Sequence, residues 1–406
     1  MEHNDTLPLL NEDFFAFVKK HLGEDAMRLR LKKWPEMNFS TDLAITQIEA
    51  RSRNLDKKIP LWAENNRIVF PSMLSTEQCS SQATAEYKQR LVVGDSICDL
   101  TGGLGIDLYF MAQNCREATY IEQNSLYCHV ARHNFDTLNA THIEVINSDC
   151  NSFIDSDIRS YDTIYIDPAR RGKSQERIFA VADCEPNVLA MLPTLLNRCK
   201  RLIIKLSPMV DLTQLRNEIE MPCHIYVVSL RNECKEILVV IDSEKSKEDY
   251  RNSSITTCAI IGNNNTKEYD FDYTEEENAP YSIAAEPCEY LYEPDTAILK
   301  AGMFKSLAVQ FDMCKLHRNS HLYTSSKATP DFPGRAFKVL DVIPFSSSIC
   351  KSFAKQYTAC NITTRNFPLS AVELRKKLKT KDGGDIYLFA TTLADNTTAL
   401  IICNKL

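Results

Sequence analysis

Four acidic residues in the middle of this chain each stand where a short apolar run stops. Asp99 closes "SICD", Glu122 closes "EATYIE", Asp149 follows "IEVINS" and Asp167 closes "DTIYID". Carboxylates accept hydrogen bonds and carry negative charge, so a converging set of them suits a ligand rich in N–H or O–H donors or positive charge. The first acid opens a glycine-rich stretch, Leu100-Thr101-Gly102-Gly103-Leu104-Gly105-Ile106-Asp107. Glycines let a backbone pass close beneath a ligand, and the start of the next helix offers free N–H groups. The spacing is not the Gly-x-Gly-x-x-Gly of a dinucleotide pyrophosphate cradle, and Asp99 would repel a pyrophosphate. The fourth acid runs into Pro168-Ala169-Arg170-Arg171, which places two cations just beyond it. One acid at a strand end is ordinarily a turn or helix-cap residue. Four at successive strand ends call for a common purpose.

The surrounding pattern supplies the elements that would gather them. "DSICDL" (95–100), "EATYIE" (117–122), "IEVINSD" (143–149), "DTIYIDP" (162–168) and "RLIIKLSP" (201–208) read as five buried strands with helix-like segments between them. Strands alternating with helices build a parallel sheet covered on both faces, with all strand carboxyl ends on one edge. Asp99, Glu122, Asp149 and Asp167 then line one crevice, with Lys205 and Ser207 from the fifth strand end facing it. "HIYVVSL" (224–230) and "KEILVVI" (235–241) stand four residues apart, too close for a parallel crossover, so they form an antiparallel hairpin. Five parallel strands closed by such a hairpin are the order of a seven-stranded methyltransferase sheet.

The first 88 residues read as helical, with "NEDFFAFVKKHL" apolar at helical spacing and "STEQCSSQATAEYKQRL" (75–91) opening on a Ser75/Gln78 capping-box pattern. Residues 243–285 are polar and rich in Asn and Glu, which reads as a linker with a short hairpin around "SSITTCAIIG". A smaller α+β region begins near Tyr290. A last unit over 334–406 offers a strand ("FKVLDVIPF"), two helices and a final strand pair ("DIYLFATTL", "TALIICNKL"). The expected organisation is a helical region over 1–88, an α/β domain over 89–243, a linker with a small α+β domain (ferredoxin-like by resemblance) over 244–333, and a last α+β unit (THUMP-like by resemblance) over 334–406.

Composition limits the partners. With 406 residues, 44% apolar and 25% charged, the chain is an ordinary globular protein of several domains. No stretch reaches the roughly 20 apolar residues of a membrane span, and the acidic N-terminus has no secretory core. The 15 cysteines are scattered without a Cys-x-x-Cys pair, which indicates free thiols in the cytoplasm. The net charge of -7 disfavours unspecific nucleic-acid binding, yet the last hundred residues are basic, with "ELRKKLKTK" at 373–381. That run suits a local anionic partner, or is simply a solvated helix face.

"LSTEQCSSQATAEYKQRL", "CDLTGGLGID", "DPARR", "KLSP" and "YLYEPDTAILKAG" resemble, along nearly the whole chain, a bacterial family of class I S-adenosylmethionine-dependent methyltransferases with a THUMP-like C-terminal domain. Asp99 fits that cofactor, whose sulfonium and α-ammonium are cations. The resemblance implies S-adenosylmethionine held by Asp99, Thr101, Gly102, Gly103, Gly105, Asp107, Glu122 and Asp149. In this reading Glu122 takes the ribose hydroxyls and Asp149 the adenine amino group. It implies catalysis by Asp167, Pro168 and Arg170, and substrate contacts from Arg171, Lys205 and Ser207. THUMP units bind RNA in related enzymes, so the implied substrate is tRNA or rRNA, with no obligate protein partner. Enzymes that methylate exocyclic amines carry Asp/Asn-Pro-Pro-aromatic at the fourth strand end; here Ala169 and Arg170 depart from it. Asp-Pro-Ala-Arg is nearer the Asp-Pro-Pro-Arg of 5-methyluridine enzymes, but the cysteine nucleophile those need after the fifth strand is missing from Lys205-Leu206-Ser207-Pro208. A base nitrogen is the expected acceptor. The alternatives are a methyltransferase for a protein or small molecule, and a non-catalytic RNA-binding module that keeps the fold.

Three further features have plainer readings. His129 and His133 lie one helical turn apart but lack a third metal ligand, so they read as a surface pair. Cys150 reads as packing. Tyr290 and Tyr292 read equally as RNA-stacking rings or buried docking residues.

Overall fold

The computed structural model describes residues 7–53, 55–170, 181, 184–244, 255–262 and 265–406. By contacts the chain divides into two compact units, Met1–His224 with Glu236–Ser253, and Ile225–Lys235 with Ser254–Leu406.

The first unit opens with helices. In α1 (Glu12–His21) Asn11 caps the first turn, and Phe14, Phe17 and Val18 face inward. They meet Leu43, Ile45 and Ile48 of α2 (Thr41–Arg51) in one apolar cluster that also takes in Phe39 and Val69. The stretch 75–91, expected as one helix, is two. Ser72 caps Met73–Gln78, and Ser81 caps α3 (Gln82–Gln89) after an extended Cys79. Ser75 lies inside the first of these and its hydroxyl donates to the Ser72 carbonyl, so the capping-box reading is corrected. Two serines that stop the chain from continuing as helix outcompete one long amphipathic run.

The sheet follows: β1 (Ser96–Asp99), α4 (Ile106–Met111), β2 (Glu117–Glu122), α5 (Ser125–Thr137), β3 (Ile143–Asn147), α6 (Cys150–Ser156), β4 (Tyr161–Ile166), α7 (Val188–Leu196) and β5 (Cys199–Leu206). β1 lies between β2 and β4 with parallel register, β3 joins β2, and β5 joins β4. The order 3-2-1-4-5 is the one alternating strands and helices imply, and all five strand ends share one edge. After α8 (Leu212–Ile219) come β6 (His224–Leu230), which from Ile225 belongs to the second unit, and β7 (Glu233–Asp242), whose part in the first unit pairs antiparallel with β5. The β6–β7 turn is only Arg231-Asn232, both at positive φ (54° and 62°), the geometry of a tight type I′ hairpin.

The sequence around His129 and His133 reads differently in three dimensions. Both rings bond backbone carbonyls, His129 Nε2 to Pro8 at 2.9 Å and His133 Nε2 to Arg67 at 2.8 Å. Next to His133 on α5, buried Asn134 exchanges two 2.8 Å hydrogen bonds with the Val69 backbone. The pair is therefore part of the seam holding the helical region on α5, which corrects its reading as an idle surface pair. Cys150 is buried, as its packing role requires.

In the second unit the stretch expected as a linker with a short hairpin carries two antiparallel strands, β8 (Ile255–Ile261) within the expected "SSITTCAIIG" and β9 (Thr266–Asp272) beyond it. β8 lies parallel to β6 and antiparallel to β9. β-Branched Ile and Thr in "ITTCAII" suit a strand, while the charged "TKEYDFD" hid the length of its partner β9. The remainder is one eight-stranded sheet. It contains β10 (Ser282–Ile283), β11 (Tyr290–Pro294), β12 (Cys314–Lys315), β13 (Tyr323–Ser325), β14 (Gly334–Pro344), β15 (Asn361–Arg365), β16 (Ile386–Thr392) and β17 (Thr398–Lys405). Their order is 10-12-13-11-14-17-16-15. Helix α9 (Thr296–Ala301) follows β11, and α10 (Ser347–Gln356) and α11 (Ala371–Leu378) pack Cys350, Phe353, Leu374 and Leu378 on its last strands. Tyr292 is fully buried, its hydroxyl bonded to the Lys327 carbonyl and the Thr329 amide, so of the two readings docking holds for it.

Candidate active site

The ends of β1 and β4 are tied together by one hydroxyl. Thr101 Oγ1 accepts from the Asp167 amide at 2.7 Å and donates to Asp99 Oδ1 at 3.3 Å, while the Thr101 amide reaches the same Asp99 oxygen at 2.9 Å. Asp99 is 1% exposed. Burial pushes its carboxyl up to about 8, opposed by the Thr101 amide and reinforced by the charges of Asp107 and Asp167. A buried acid in this state is relieved by a cation.

The glycine loop runs between β1 and α4. A Cβ on Gly102 would lie 2.2 Å from the Tyr120 ring, whose hydroxyl donates to the Gly103 carbonyl at 2.6 Å. Gly105 sits at φ +83°, and a Cβ there would meet Phe135 at 2.8 Å. Beside Gly103, by contrast, a Cβ finds only the Thr101 carbonyl at 3.7 Å, so the loop is tight beneath and open above. Glu122, at the end of β2, accepts from the Gly103 amide at 3.1 Å and the Asn124 amide at 2.8 Å, one with each oxygen. These bonds fix the carboxylate and leave it further lone pairs for two neighbouring hydroxyls. A cleft of about 950 Å³ borders the loop after β2, lined by Pro8, Phe39, Leu43, Gln123, Asn124 and Leu126 among others.

Asp149 is exposed and caps α6 through the Ser152 amide at 3.1 Å. The exposed Ser207 hydroxyl accepts from the Met209 amide at 3.2 Å within its own turn. Pro168 is buried, and Ala169–Arg170 form a two-residue ladder with Cys184–Glu185. Arg171 lies outside the described residues.

Behind Asp167 stands a group that spacing does not reveal. Lys205 Nζ lies 2.6 Å from Asp167 Oδ2, 3.3 Å from Asp107 Oδ2 and 3.1 Å from Ser80 Oγ. Asp107 also accepts from the Ser80 and Tyr165 hydroxyls, each at 2.8 Å. Its other oxygen is 3.1 Å from Lys88 Nζ, which lies 2.6 Å from Glu236. The result is an alternating chain, Glu236–Lys88–Asp107–Lys205–Asp167. It runs from a buried glutamate and a fully dry lysine to a carboxylate whose side chain is 39% exposed. Burial would push Asp107 up, but Lys88 and Lys205, with Ser80 and Tyr165, hold it well below the usual carboxylate range. Burial likewise works against the charge of Lys205, yet Asp167 and Asp107 keep its ammonium well above the ordinary lysine range. Glu236 is pushed up by burial against the pull of Lys88. Asp107 is thus placed inward, against Lys88, Lys205, Ser80 and Tyr165. Lys88, Ser80, Tyr165 and Glu236 went unnoticed in the sequence; a lysine on the apolar face of α3 was the one local sign. Among the described residues no group of three His, Cys, Asp or Glu is placed to hold a metal.

A parallel 3-2-1-4-5 order with an antiparallel return strand, a glycine loop after β1 and acids at the ends of β2 and β4 define the class I S-adenosylmethionine-dependent methyltransferases. The residues fit the cofactor: a buried acid that a cation relieves, an open glycine cradle and a carboxylate fixed at the end of β2. Two family models match the second unit, a ferredoxin-like domain over 290–333 and a THUMP domain-like segment over 334–405. The chain is 34% identical to a Porphyromonas gingivalis W83 protein of solved structure, provisionally named a methyltransferase, with 97% of both chains covered and a TM-score of 0.87. This chain belongs to that methyltransferase family. An uncharacterized S-adenosylmethionine-dependent methyltransferase of Mycobacterium tuberculosis is 21% identical over 79% of this chain and 85% of its own length. Ribosomal RNA small subunit methyltransferase J of Francisella philomiragia is 30% identical over 29% of this chain and 53% of its own.

Proposed function

We propose that this enzyme methylates RNA, at a base nitrogen of tRNA or rRNA. The observation that carries the reading is the Thr101 bridge, which joins the acid facing the cofactor to the acid facing the acceptor. S-adenosylmethionine, when bound, supplies an electrophilic methyl group. In our reading Asp99 faces its cationic end, the Gly102–Gly105 loop lies under it and Glu122 receives its ribose hydroxyls. Asp149 takes the adenine amino group at the edge. Asp167 accepts a hydrogen bond from the acceptor N–H, and buried Pro168 stiffens the backbone that aims it; catalysis of this kind is largely positioning. Arg170 and Arg171, with Lys205 and Ser207, contact the nucleotide.

Support for RNA is the THUMP domain-like match, the ribosomal RNA relative, and an exposed row of Lys376, Lys377, Lys379 and Lys381 on and after α11. No helix among the described residues is long and apolar enough to cross a membrane, and all fifteen cysteines are free thiols, in keeping with a cytoplasmic enzyme. Incubation with RNA from a strain lacking the gene, followed by nucleoside mass spectrometry, tests the reading. One new methylated base is expected. Transfer to protein or small molecules with none to RNA, or no RNA retention on filters at low salt, overturns it.

A further inference from the structure

Lys205 gives the acceptor side of the site an ammonium as well as a carboxylate, 2.6 Å apart. The two favour different nucleophiles. A neutral exocyclic amine acquires positive charge as it takes a methyl group, and a fixed ammonium nearby opposes that charge. An acceptor that sheds its proton, with negative charge on an oxygen, is stabilised by the same ammonium, as an oxyanion is by any preorganised donor. The ammonium is also anchored. It is faced by Asp167 at the end of β4, Asp107 and Ser80, with Glu236 of β7, Lys88 of α3, Tyr165 of β4 and Cys79 around it. Three carboxylates around two lysines leave the pair at the crevice able to host one more partial positive donor or one transient proton.

We infer that Lys205 selects an acceptor that becomes an oxyanion during transfer, either a ribose hydroxyl or the N–H of a ring imide whose carbonyl oxygen takes the charge. This rests on the RNA reading; the ring imide narrows its base nitrogen, and the ribose hydroxyl would replace it. The acceptor's proton passes to the Asp167 carboxylate and on to solvent. The freed electron pair forms the new bond to the methyl carbon. The carbon–sulfur bond breaks with its pair remaining on sulfur, which leaves a neutral thioether. Protonation of Asp167 releases the Lys205 N–H that it held, which then donates to the charged oxygen; the other two stay on Asp107 and Ser80, and Lys205 gives up no proton.

The test combines the product, a pH profile and a binding ratio. Mass spectrometry is expected to find N1-methylguanosine, N3-methyluridine or a 2′-O-methyl nucleoside. N6-methyladenosine, N4-methylcytidine or N2-methylguanosine overturns the role of Lys205 while leaving a base nitrogen as acceptor. A 2′-O-methyl product does the reverse. Lys205→Met is expected to lower kcat about 100-fold or more, as removal of an oxyanion donor does. Its rate should then climb with pH above neutrality as the acceptor ionises by itself, where the wild type and Lys205→Arg stay flat. An unchanged rate and profile in Lys205→Met overturns the inference. Calorimetry supplies a readout without turnover. Removing the ammonium should raise the preference for S-adenosylmethionine over S-adenosylhomocysteine several-fold, and an unchanged ratio counts against it. If no RNA is methylated, the RNA reading falls and this ratio still decides the place of Lys205.

Discussion

The two units each bury a carboxylate among cations, and they do it in opposite ways. In the second unit Glu293, 3% exposed, sits on β11 and is enclosed by two guanidinium groups. Arg335 of β14 holds one oxygen through two of its nitrogens, and Arg365 of β15 holds the other at 3.0 and 3.2 Å. Every strong acceptor direction is filled by a rigid, permanently charged fork. In the first unit the cations are lysines, point charges on flexible stems, and each is shared between acids. The chain Glu236–Lys88–Asp107–Lys205–Asp167 does not close on itself but ends at a half-exposed carboxylate. Saturated arginine clamps fasten strands. A lysine chain with an open end leaves one member free to take a new partner, which is what a reaction site needs.

That contrast can be broken at its open end first. Asp167→Ala is expected to cost at least about a thousandfold in kcat, the scale of losing a group that orients the reacting atom, with S-adenosylmethionine binding kept. Single-turnover assays beside calorimetry separate the two, and wild-type turnover would remove Asp167 from the chemistry. Next comes the dry end. Lys88→Met leaves Asp107 and Glu236 buried with one cation fewer, at a cost of about 3–5 kcal/mol in stability. Urea unfolding followed by tryptophan fluorescence reports it, and a loss below about 1 kcal/mol would mean the chain is not coupled through Lys88. The closed clamp should respond less. Glu293→Ala strands two arginines that are each about one-third exposed, so water screens them and the cost falls to about 2–3 kcal/mol. Methyl transfer per folded molecule stays unchanged; a drop in kcat would show that the clamp serves more than architecture.

The smallest effect concerns protons at Asp99. Its carboxyl titrates near 8 when folded against about 4 when unfolded, so it contributes most stability below pH 4 and loses that contribution as pH rises to 8. A cationic ligand needs the ionised form. Affinity for S-adenosylmethionine should therefore rise with pH up to about 8, by less than tenfold per unit, with proton release on binding. Calorimetry in buffers of different ionisation enthalpy measures the released proton. Asp99→Asn should bind weakly and without this pH dependence; a pH-independent wild type would place the ligand elsewhere.

The sequence made the strand ends legible and left their support hidden. Asp99, Glu122 and Asp167 stand at carboxyl ends of strands that apolar runs announce, and the parallel order follows from alternation with helices. Lys88 and Glu236 are 148 positions apart and meet only because β7 returns beside β5 and α3 packs near by. No local pattern encodes that meeting. Asp107 reads with the glycine loop as a cofactor contact, yet helix α4 turns it inward to the lysines. In the 243–285 stretch β-branched residues announced a short hairpin around "SSITTCAIIG", but the acidic composition hid that its second strand runs on to Asp272. Ser75 shows the same competition at short range, where a better cap three residues earlier took over the turn.

The shared sheet of the second unit bears on how the chain is made. β11 from the ferredoxin-like segment pairs with β14, and β14 pairs in turn with β17, which lies between β14 and β16. An inner strand of that sheet is therefore synthesised last, roughly sixty residues after β14, and non-local pairings of this kind form slowly. On the ribosome β14 waits with an open edge until residues 398–405 emerge, so a chaperone or nascent-chain crosslink is expected on "GRAFKVLDVIP" and not on β1 to β5, whose parallel neighbours are all made by Leu206.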